Sequence, residues 1–334
     1  MRTRTISDGR TSFDVSTIAL GAMNFGTRTD RETSFAILDR FVEAGGTFID
    51  TANNYSVWSG GTGRDSEDLL SDWLDDRGLR GRVRIATKIG AAQKDPKLPL
   101  STTPPTNYEG LSAEVVARQA RESARRLGLE RLDMLYGHVD DRETPIAETV
   151  GAFGELQAEG LVGITGISNI AVWRLVESRE EALRRGIAPY GLVQQQYSYL
   201  HPAPVIGRNN FVTPDLLDYA AASGADGRAP LAITAYSPLH QGGISGRKPL
   251  WGGVDHPTSH ARLALLHAVA REAGATPNQL ALAWLLGAEV PVIPVVGVSS
   301  VAQLDEALGA VDLDLDPALR ARLDDEAAVL QAAA

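Results

Sequence analysis

Residues 134–168 read MLYGHVDDRETPIAETVGAFGELQAEGLVGITGIS, and this stretch decides the fold. Two short apolar runs, at 134–138 and 164–168, enclose an amphipathic stretch at 146–159. Short apolar runs between turn residues predict buried strands, whereas apolar residues three or four positions apart predict a helix. The stretch is therefore predicted to form a strand, a helix and a second strand.

The same alternation continues toward both ends of the chain. The predicted strands are residues 17–20, 47–50, 83–88, 134–138, 164–168, 192–195, 231–235 and 292–296. The helical patterns are residues 30–44, 66–74, 112–127, 146–159, 172–185, 214–222, 262–272 and 301–308, and additional C-terminal helices begin at Thr276-Pro277 and Asp316-Pro317. Eight alternations predict an α/β fold, a single (β/α)8 TIM barrel domain over residues 1–334 with an N-terminal β-hairpin at 1–13.

A doubly wound sheet is the alternative fold. Its nucleotide site needs the spacing G-x-G-x-x-G after an early strand, and Gly21 and Gly26 do not have that spacing. Three long connections, at 56–63, 89–111 and 240–259, follow predicted strands. In a barrel, such connections lie over the C-terminal mouth, where active sites are found.

Composition excludes several classes of function. The formal charge of −10 and the pI near 5.1 argue against nucleic acid or an anionic membrane as the main partner. The absence of cysteine excludes disulfides, thiolate metal sites and cysteine nucleophiles. The most apolar window, 280–298, contains Glu289, Pro291 and Pro294, which a membrane span would not tolerate. Because no targeting segment is visible either, the predicted location is the cytoplasm, with no indication of an oligomeric state.

Polar residues end three neighbouring strands. The second strand leads into FID50-TANNY55, the third ends at Lys88 and the fourth ends at His138. Taken singly, each polar residue has an ordinary structural explanation. Because neighbouring strand ends converge at the mouth of a barrel, we expect Asp50, Tyr55, Lys88 and His138 to share one pocket. His138 with Asp140 and Asp141 is a weak metal pattern, so no metal site is predicted.

Several motifs in the same order resemble the aldo-keto reductase family. They are VSxIxLGxMNFG at 15–26, FIDTAxxY at 48–55, ATK at 86–88, the strand end at His138, GISN at 166–169, Q-x-x-Y at 194–197 and AYSPL at 235–239. The resemblance runs from about residue 3 to residue 325. It implies reversible hydride transfer between a nicotinamide cofactor and an aldehyde or ketone, with a small-molecule carbonyl or alcohol as substrate.

The resemblance also implies a role for each strand-end residue. Tyr55 is the expected general acid, and Lys88 is expected to lower its pKa by stabilising the phenolate. Asp50 is expected to pair with Lys88, and His138 to orient the carbonyl oxygen. The expected substrate-binding residues are Tyr55, His138 and Trp58. The rival hypothesis is a non-catalytic cofactor-binding module, like the potassium-channel β subunits that resemble this family.

The cofactor-binding positions follow from the same resemblance. They are Gly21, Ala22, Met23, Asp50, Ser168, Asn169, Gln194, Tyr236, Ser237, Leu239, Gly242, Gly297, Ser299, Gln303 and Glu306. The sequence departs from the family where a basic residue often binds the 2′-phosphate of NADP(H). Gly297, Ser299 and Gln303 occupy that segment, and Ala307 replaces a common Asn. The family favours NADP(H), but the missing charge leaves NAD(H) open.

Overall fold

The structure is a computed structural model that describes residues 1–95, 97–98, 105–203, 210–225, 227–251 and 253–333. Eight parallel strands form a closed barrel, in which β10 pairs with β3. The strands are β1 (Thr3–Ser7), β2 (Ser12–Ser16), β3 (Ala19–Gly21), β4 (Phe48–Asp50), β5 (Arg84–Ile89), β6 (Leu132–Gly137), β7 (Val162–Ser168), β8 (Leu192–Gln196), β9 (Ala232–Tyr236) and β10 (Val292–Gly297). The barrel strands β3–β10 confirm the predicted fold, with each boundary within two residues of the prediction.

Helices alternate with the barrel strands. They are α1 (Arg31–Glu43), α2 (Asp65–Arg77), α3 (Ala113–Leu127), α4 (Ile146–Ala158), α5 (Val172–Arg184), α6 (Pro214–Ala222), α7 (Pro257–Glu272), α8 (Pro277–Leu286), α9 (Val301–Leu308), α10 (Pro317–Leu323) and α11 (Glu326–Ala333). Side-chain caps fix several starts: Ser112 accepts a hydrogen bond from the Val115 amide, and Thr276 forms a capping box with Gln279. Within the described residues, no helix is long and apolar enough to cross a membrane.

The connection predicted at 240–259 ends earlier in the structure than in the prediction. Helix α7 begins at Pro257, because proline suits the first turn of a helix, so the connection ends at residue 256. The connection predicted at 89–111 begins after Ile89, the last residue of β5. Residues 96, 99–104 and 252 of these two connections lie outside the described residues. Helix α11 has no counterpart in the prediction.

Apolar side chains form two layers. Inside the barrel, Phe48, Met134, Ile164 and Leu192 pack together. A larger layer between the strands and the surrounding helices contains the remaining core side chains, among them Trp73, Leu135, Phe153 and Val193. Alternate residues of each strand therefore face opposite layers, as a barrel requires.

The N-terminal hairpin closes the end of the barrel opposite to the mouth. β1 and β2 pair antiparallel, and Ile6 and Val15 join the side chains of the barrel interior. The two strands are connected by a four-residue loop, residues 8–11, in which the Asp8 carboxylate accepts hydrogen bonds from the amides of Arg10 and Thr11. With this end covered by the hairpin, the open mouth of the barrel is at the C-terminal ends of the strands.

Candidate active site

The four polar residues predicted to share one pocket lie at or after the ends of adjacent strands. Asp50 is the last residue of β4, and Lys88 lies in β5, the neighbouring strand. His138 directly follows β6, and Tyr55 lies in the connection after β4. The parallel order β4-β5-β6 brings all four to the C-terminal mouth.

The amino group of Lys88 is the centre of this cluster. Its Nζ atom donates hydrogen bonds to Asp50 Oδ1 at 2.5 Å, to the Tyr55 hydroxyl at 2.7 Å and to the Thr51 carbonyl at 2.8 Å. The Lys88 side chain is 0% exposed and that of Asp50 is 2% exposed. A buried ammonium group with three acceptors is fully satisfied, so its position is tightly defined.

Burial dominates the protonation of these groups. It lowers the pKa of Lys88, while the carboxylate of Asp50 opposes that shift. Burial, followed by the negative charge of Asp50, raises the pKa of the Tyr55 phenol well above its usual value. The net shift of the Tyr55 pKa is therefore upward, opposite to the expected direction, because burial and the charge of Asp50 both raise it. Tyr55 is a neutral phenol here.

His138 lies beside the Tyr55 ring. The two ring centroids are 5.8 Å apart in an edge-on arrangement. Burial, assisted by the positive charge of Lys88, lowers the pKa of His138 to about 3, so the imidazole is neutral near pH 7. Its Nδ1 atom is buried and has no hydrogen-bond partner among the described residues. A neutral imidazole with an open nitrogen can hydrogen-bond an incoming ligand.

Trp58 forms the outer wall beside Tyr55. It lies in a short 3-10 helix, Val57–Ser59, and its ring is edge-on to Tyr55 with a centroid separation of 6.0 Å. Trp58 is 40% exposed. Ser56 enters this turn with a left-handed φ of 73° and its hydroxyl donates to the Met23 carbonyl, which anchors the turn. A molecule that contacts the Tyr55 hydroxyl from the mouth would therefore pass the exposed face of Trp58.

The ends of β7, β8 and β9 carry a second polar group. Gln194 Nε2 donates to Asp50 Oδ2 at 2.8 Å, which connects this group to the lysine cluster. The Ser168 hydroxyl donates to the Gln194 carbonyl, and Asn169 Nδ2 donates to the His138 carbonyl at 2.9 Å. The Tyr236 hydroxyl donates to Asn169 Oδ1 at 2.9 Å. The structure thus brings these four predicted cofactor-binding residues to the same mouth.

The predicted positions after β3 lie next to Asp50. Gly21 pairs with Asp50 across β3 and β4, and the Ala22 amide donates to the Asp50 carbonyl at 2.9 Å. Met23 is partly buried in the same turn. The Ala22 carbonyl accepts from the Ser66 hydroxyl at 2.8 Å. The backbone of this turn therefore lies beside the lysine cluster.

The connection after β9 has an unusual backbone. Ser237 has a φ of 53°, and His240 and Gln241 also have a positive φ, although none of them is glycine. The predicted positions Leu239 and Gly242 lie in this segment. The His240 ring is buried and stacks on Trp251, with centroids 4.8 Å apart. That stacking supports a conformation that the local sequence disfavours.

The predicted 2′-phosphate segment is open and lies near a cation that the sequence analysis missed. Gly297 is exposed, and a Cβ atom added there would meet no atom within 4 Å. Arg247, 56% exposed, places Nη2 3.6 Å from Glu306 Oε2. The amide and hydroxyl of Ser299 both donate to Gln303 Oε1. Arg247 is thus an exposed cation beside Glu306, one of the predicted cofactor-binding residues, and the basic residue that follows SPLHQGGISG is the sequence signal for it.

Asp140 and Asp141 have structural roles. Asp140 pairs with Arg174 at 2.6 Å and with Arg142 at 3.0 Å. Asp141 accepts hydrogen bonds from the Leu111 amide and from Thr144, so it joins two connections at the mouth. No group of three or more potential ligands that could hold a metal ion occurs in the part of the chain that the structure describes.

The chain thus carries a buried lysine–tyrosine–aspartate cluster at the mouth of a (β/α)8 barrel, which is the place of the active site in enzymes of this fold. Comparison with known proteins identifies the class. A model of the aldo/keto reductase family matches residues 17–327, and the chain belongs to that family.

Curated relatives agree with this assignment. An uncharacterized oxidoreductase of Bacillus subtilis, YrpG, is 32% identical over 327 residues, which cover 95% of this chain and 94% of the relative. The aryl-alcohol dehydrogenase [NADP(+)] of Phanerodontia chrysosporium is 28% identical, covering 91% and 80%. Norsolorinic acid reductase A of Aspergillus parasiticus is also 28% identical, covering 93% and 77%. The chain is an oxidoreductase of the carbonyl-reducing class.

Proposed function

We propose that the protein reversibly reduces an aldehyde or ketone with a nicotinamide cofactor, and that Tyr55 is the proton donor. The observation that carries this proposal is the 2.7 Å hydrogen bond from Lys88 Nζ to the Tyr55 hydroxyl inside a buried pocket. Because the phenol oxygen accepts from Lys88, its own proton is directed away from the ammonium group, toward a long contact of 3.4 Å with Asp50 Oδ1. The carbonyl oxygen of a bound substrate would replace this weak contact and receive the proton.

Reduction adds a hydride to the carbonyl carbon and a proton to the carbonyl oxygen. When bound, the nicotinamide supplies the hydride. Tyr55 donates the proton, and the phenolate that remains is stabilised by the ammonium group of Lys88 at 2.7 Å. Asp50 and the Thr51 carbonyl hold Lys88 in place for this role. His138, neutral because burial lowers its pKa to about 3, hydrogen-bonds the carbonyl oxygen and orients it toward Tyr55.

The residues at the mouth fit a dinucleotide. Ser168, Asn169 and Gln194 present hydroxyl and carboxamide groups suited to the nicotinamide carboxamide, with Tyr236 beside them. His138 Nδ1, buried and without a partner among the residues described, supports the proposal as a hydrogen-bonding group still to be satisfied in this region. The turn at 21–23 and the segment from Ser237 to Gly242 would hold the rest of the dinucleotide, with its far end over Gly297.

We further propose NADP(H) as the preferred cofactor. Arg247 supplies a positive charge beside Glu306, at the open segment that contains Gly297, Ser299 and Gln303. An arginine is well suited to a phosphate because its guanidinium group presents several donors. The Phanerodontia relative is named as an NADP(+)-dependent aryl-alcohol dehydrogenase, which is consistent with this choice.

A paired experiment tests the proposal. The purified protein is titrated with NADPH and with NADH by fluorescence, and consumption of NADPH is followed by its absorbance with aromatic and aliphatic aldehydes. We expect tighter binding of NADPH and turnover of at least one aldehyde. Binding without turnover of any carbonyl compound would support the rival cofactor-binding module instead. Absence of binding by either nucleotide would contradict the reductase proposal.

A further inference from the structure

A glutamine outside the barrel contacts both segments that carry the proposed proton donor and its lysine. Gln119 lies in α3, and it is 2% exposed. We propose that Gln119 is a positioning residue, which fixes Tyr55 relative to Lys88 and connects them to residues 90–92 and 109–110 of the connection after β5. This inference rests on the proposed function, because it assigns Gln119 a role through Tyr55.

One oxygen atom of Gln119 makes the two decisive contacts. Its Oε1 accepts from Asn53 Nδ2 at 2.9 Å and from the Gly90 amide at 2.8 Å. Asn53 precedes Tyr55 by two residues, and Gly90 follows Lys88 by two. The same acceptor therefore joins the turn that carries Tyr55 to the segment that carries Lys88.

Backbone contacts leave little freedom between these points. The Asn53 amide donates to the Lys88 carbonyl at 3.1 Å, so Asn53 is held at its main chain and at its side chain. Gly90 has a φ of 94°, and a Cβ atom there would lie 2.8 Å from the Gly110 carbonyl. Asn53 and Gly90 are thus close to rigid attachment points, and a change at Gln119 acts on both.

The nitrogen atom of Gln119 leads to the mouth. Its Nε2 donates to Glu109 Oε2 at 2.7 Å. Glu109 lies where the end of the connection after β5 returns to its beginning. The Glu109 amide donates to the Ala92 carbonyl at 2.8 Å, and the Gly110 amide donates to the Gly90 carbonyl at 3.0 Å. Arg118 forms an ion pair with the same carboxylate oxygen. The Gln119 side chain thus joins Glu109 to the turn that carries Tyr55.

The contacts require a carboxamide in one orientation. The oxygen must face two N–H donors and the nitrogen must face a carboxylate. Glutamate at this position keeps the acceptor for Asn53 and Gly90 but places its second oxygen against Glu109, where two carboxylates repel each other. A glutamine at position 109 would remove that repulsion, because its amide nitrogen can donate to the new carboxylate. Gln119 and Glu109 can therefore exchange their amide and acid groups, which keeps one amide and one carboxylate at the 2.7 Å contact.

The test compares Q119E, E109Q, the double variant Q119E/E109Q and Tyr55→Phe, with 4-nitrobenzaldehyde and NADPH as probes. Since small displacements of a reacting group strongly reduce the rate, we expect kcat to fall about thirtyfold in Q119E. The NADPH affinity of Q119E should stay within about twofold of the wild-type value. The kcat of E109Q should resemble that of the wild type, and the double variant should recover most of the kcat that Q119E loses. A residue needed only for folding would instead lower stability and cofactor affinity together, without this recovery.

Hydrogen–deuterium exchange of residues 51–55 provides a readout that needs no turnover. We expect faster exchange in Q119E and near wild-type exchange in the double variant. If Q119E is insoluble, Asn53→Ala replaces it, with an expected three- to tenfold loss of kcat and the same faster exchange.

Two results would overturn the inference: a kcat of Q119E (or Asn53→Ala) equal to that of the wild type, or a loss that E109Q does not repair. If the wild type does not reduce the probe, unchanged exchange in Q119E would overturn it. Retained turnover in Tyr55→Phe would instead contradict the proposed function, so the two failures are distinguishable.

Discussion

The lysine cluster and the rim around Arg247 differ in how the chain builds them. In the cluster, Asp50 and Lys88 are buried side chains from adjacent strands, held at 2.5 Å. At the rim, Arg247 is more than half exposed and approaches Glu306, from a different element, at 3.6 Å. The cluster is preorganised before any ligand binds, whereas the rim keeps an exposed charge that a ligand can recruit. Chemistry and cofactor choice are therefore expected to respond to different substitutions.

The largest expected effect comes from breaking the cluster. Lys88→Met removes the ammonium group beside Tyr55 and leaves the Asp50 carboxylate buried without its cation. Turnover should fall about a thousandfold. The free energy of unfolding should fall by about 3–5 kcal/mol, because an unpaired buried charge is costly. Steady-state kinetics and urea denaturation measure the two effects.

A double variant separates stability from catalysis. Asp50→Asn with Lys88→Met removes both buried charges and should recover most of the stability without restoring turnover. If Lys88→Met alone retains turnover within tenfold of the wild type, Lys88 does not have the assigned role.

The rim should change cofactor choice without changing the chemistry. Arg247→Ala should weaken NADPH binding roughly twentyfold, the equivalent of one charge-assisted hydrogen bond, and leave NADH binding unchanged. Lys248→Ala is the matched control, because it removes a neighbouring exposed cation. Fluorescence titrations with both nucleotides measure the effect. An equal loss for NADPH and NADH would show that Arg247 does not discriminate the 2′-phosphate.

The smallest expected effect concerns acid stability. The pKa of His138 is lowered to about 3 in the folded protein, below its usual value, so the unfolded chain binds the proton first as the pH falls. The stabilisation is complete above pH ~6.5 and declines as the pH decreases toward 3. Between pH 6.5 and 5, the wild type should lose about 1.5 kcal/mol more than His138→Gln. Equal losses in urea titrations at the two pH values would contradict a neutral His138 in the folded protein.

The cluster was predictable from the sequence for a simple reason. Asp50, Lys88 and His138 each end an apolar run, and parallel strands in consecutive order bring such ends together. His138 lies one residue beyond β6, which does not change that argument. The strands and most helices were predictable because their apolar periodicity and caps are local features.

Other features depend on distant contacts. The direction of the Tyr55 pKa shift reflects burial and the negative charge of Asp50, which both raise the pKa and which no motif encodes. Gln119 is one polar residue in an amphipathic helix, and only the packed structure brings it to Asn53 and Gly90. Arg247 reaches Glu306 through a connection with an unusual backbone, so its position could not be derived from spacing.

The most direct test of the central claim is Tyr55→Phe, which removes one hydroxyl from the buried cluster. We measure NADPH affinity and aldehyde turnover for this variant beside the wild type. The account predicts NADPH affinity within about twofold and a loss of turnover of about a thousandfold or more, because the proton donor is gone while the cofactor contacts remain. Turnover within tenfold of the wild type, with the cofactor still bound, would contradict the role of Tyr55.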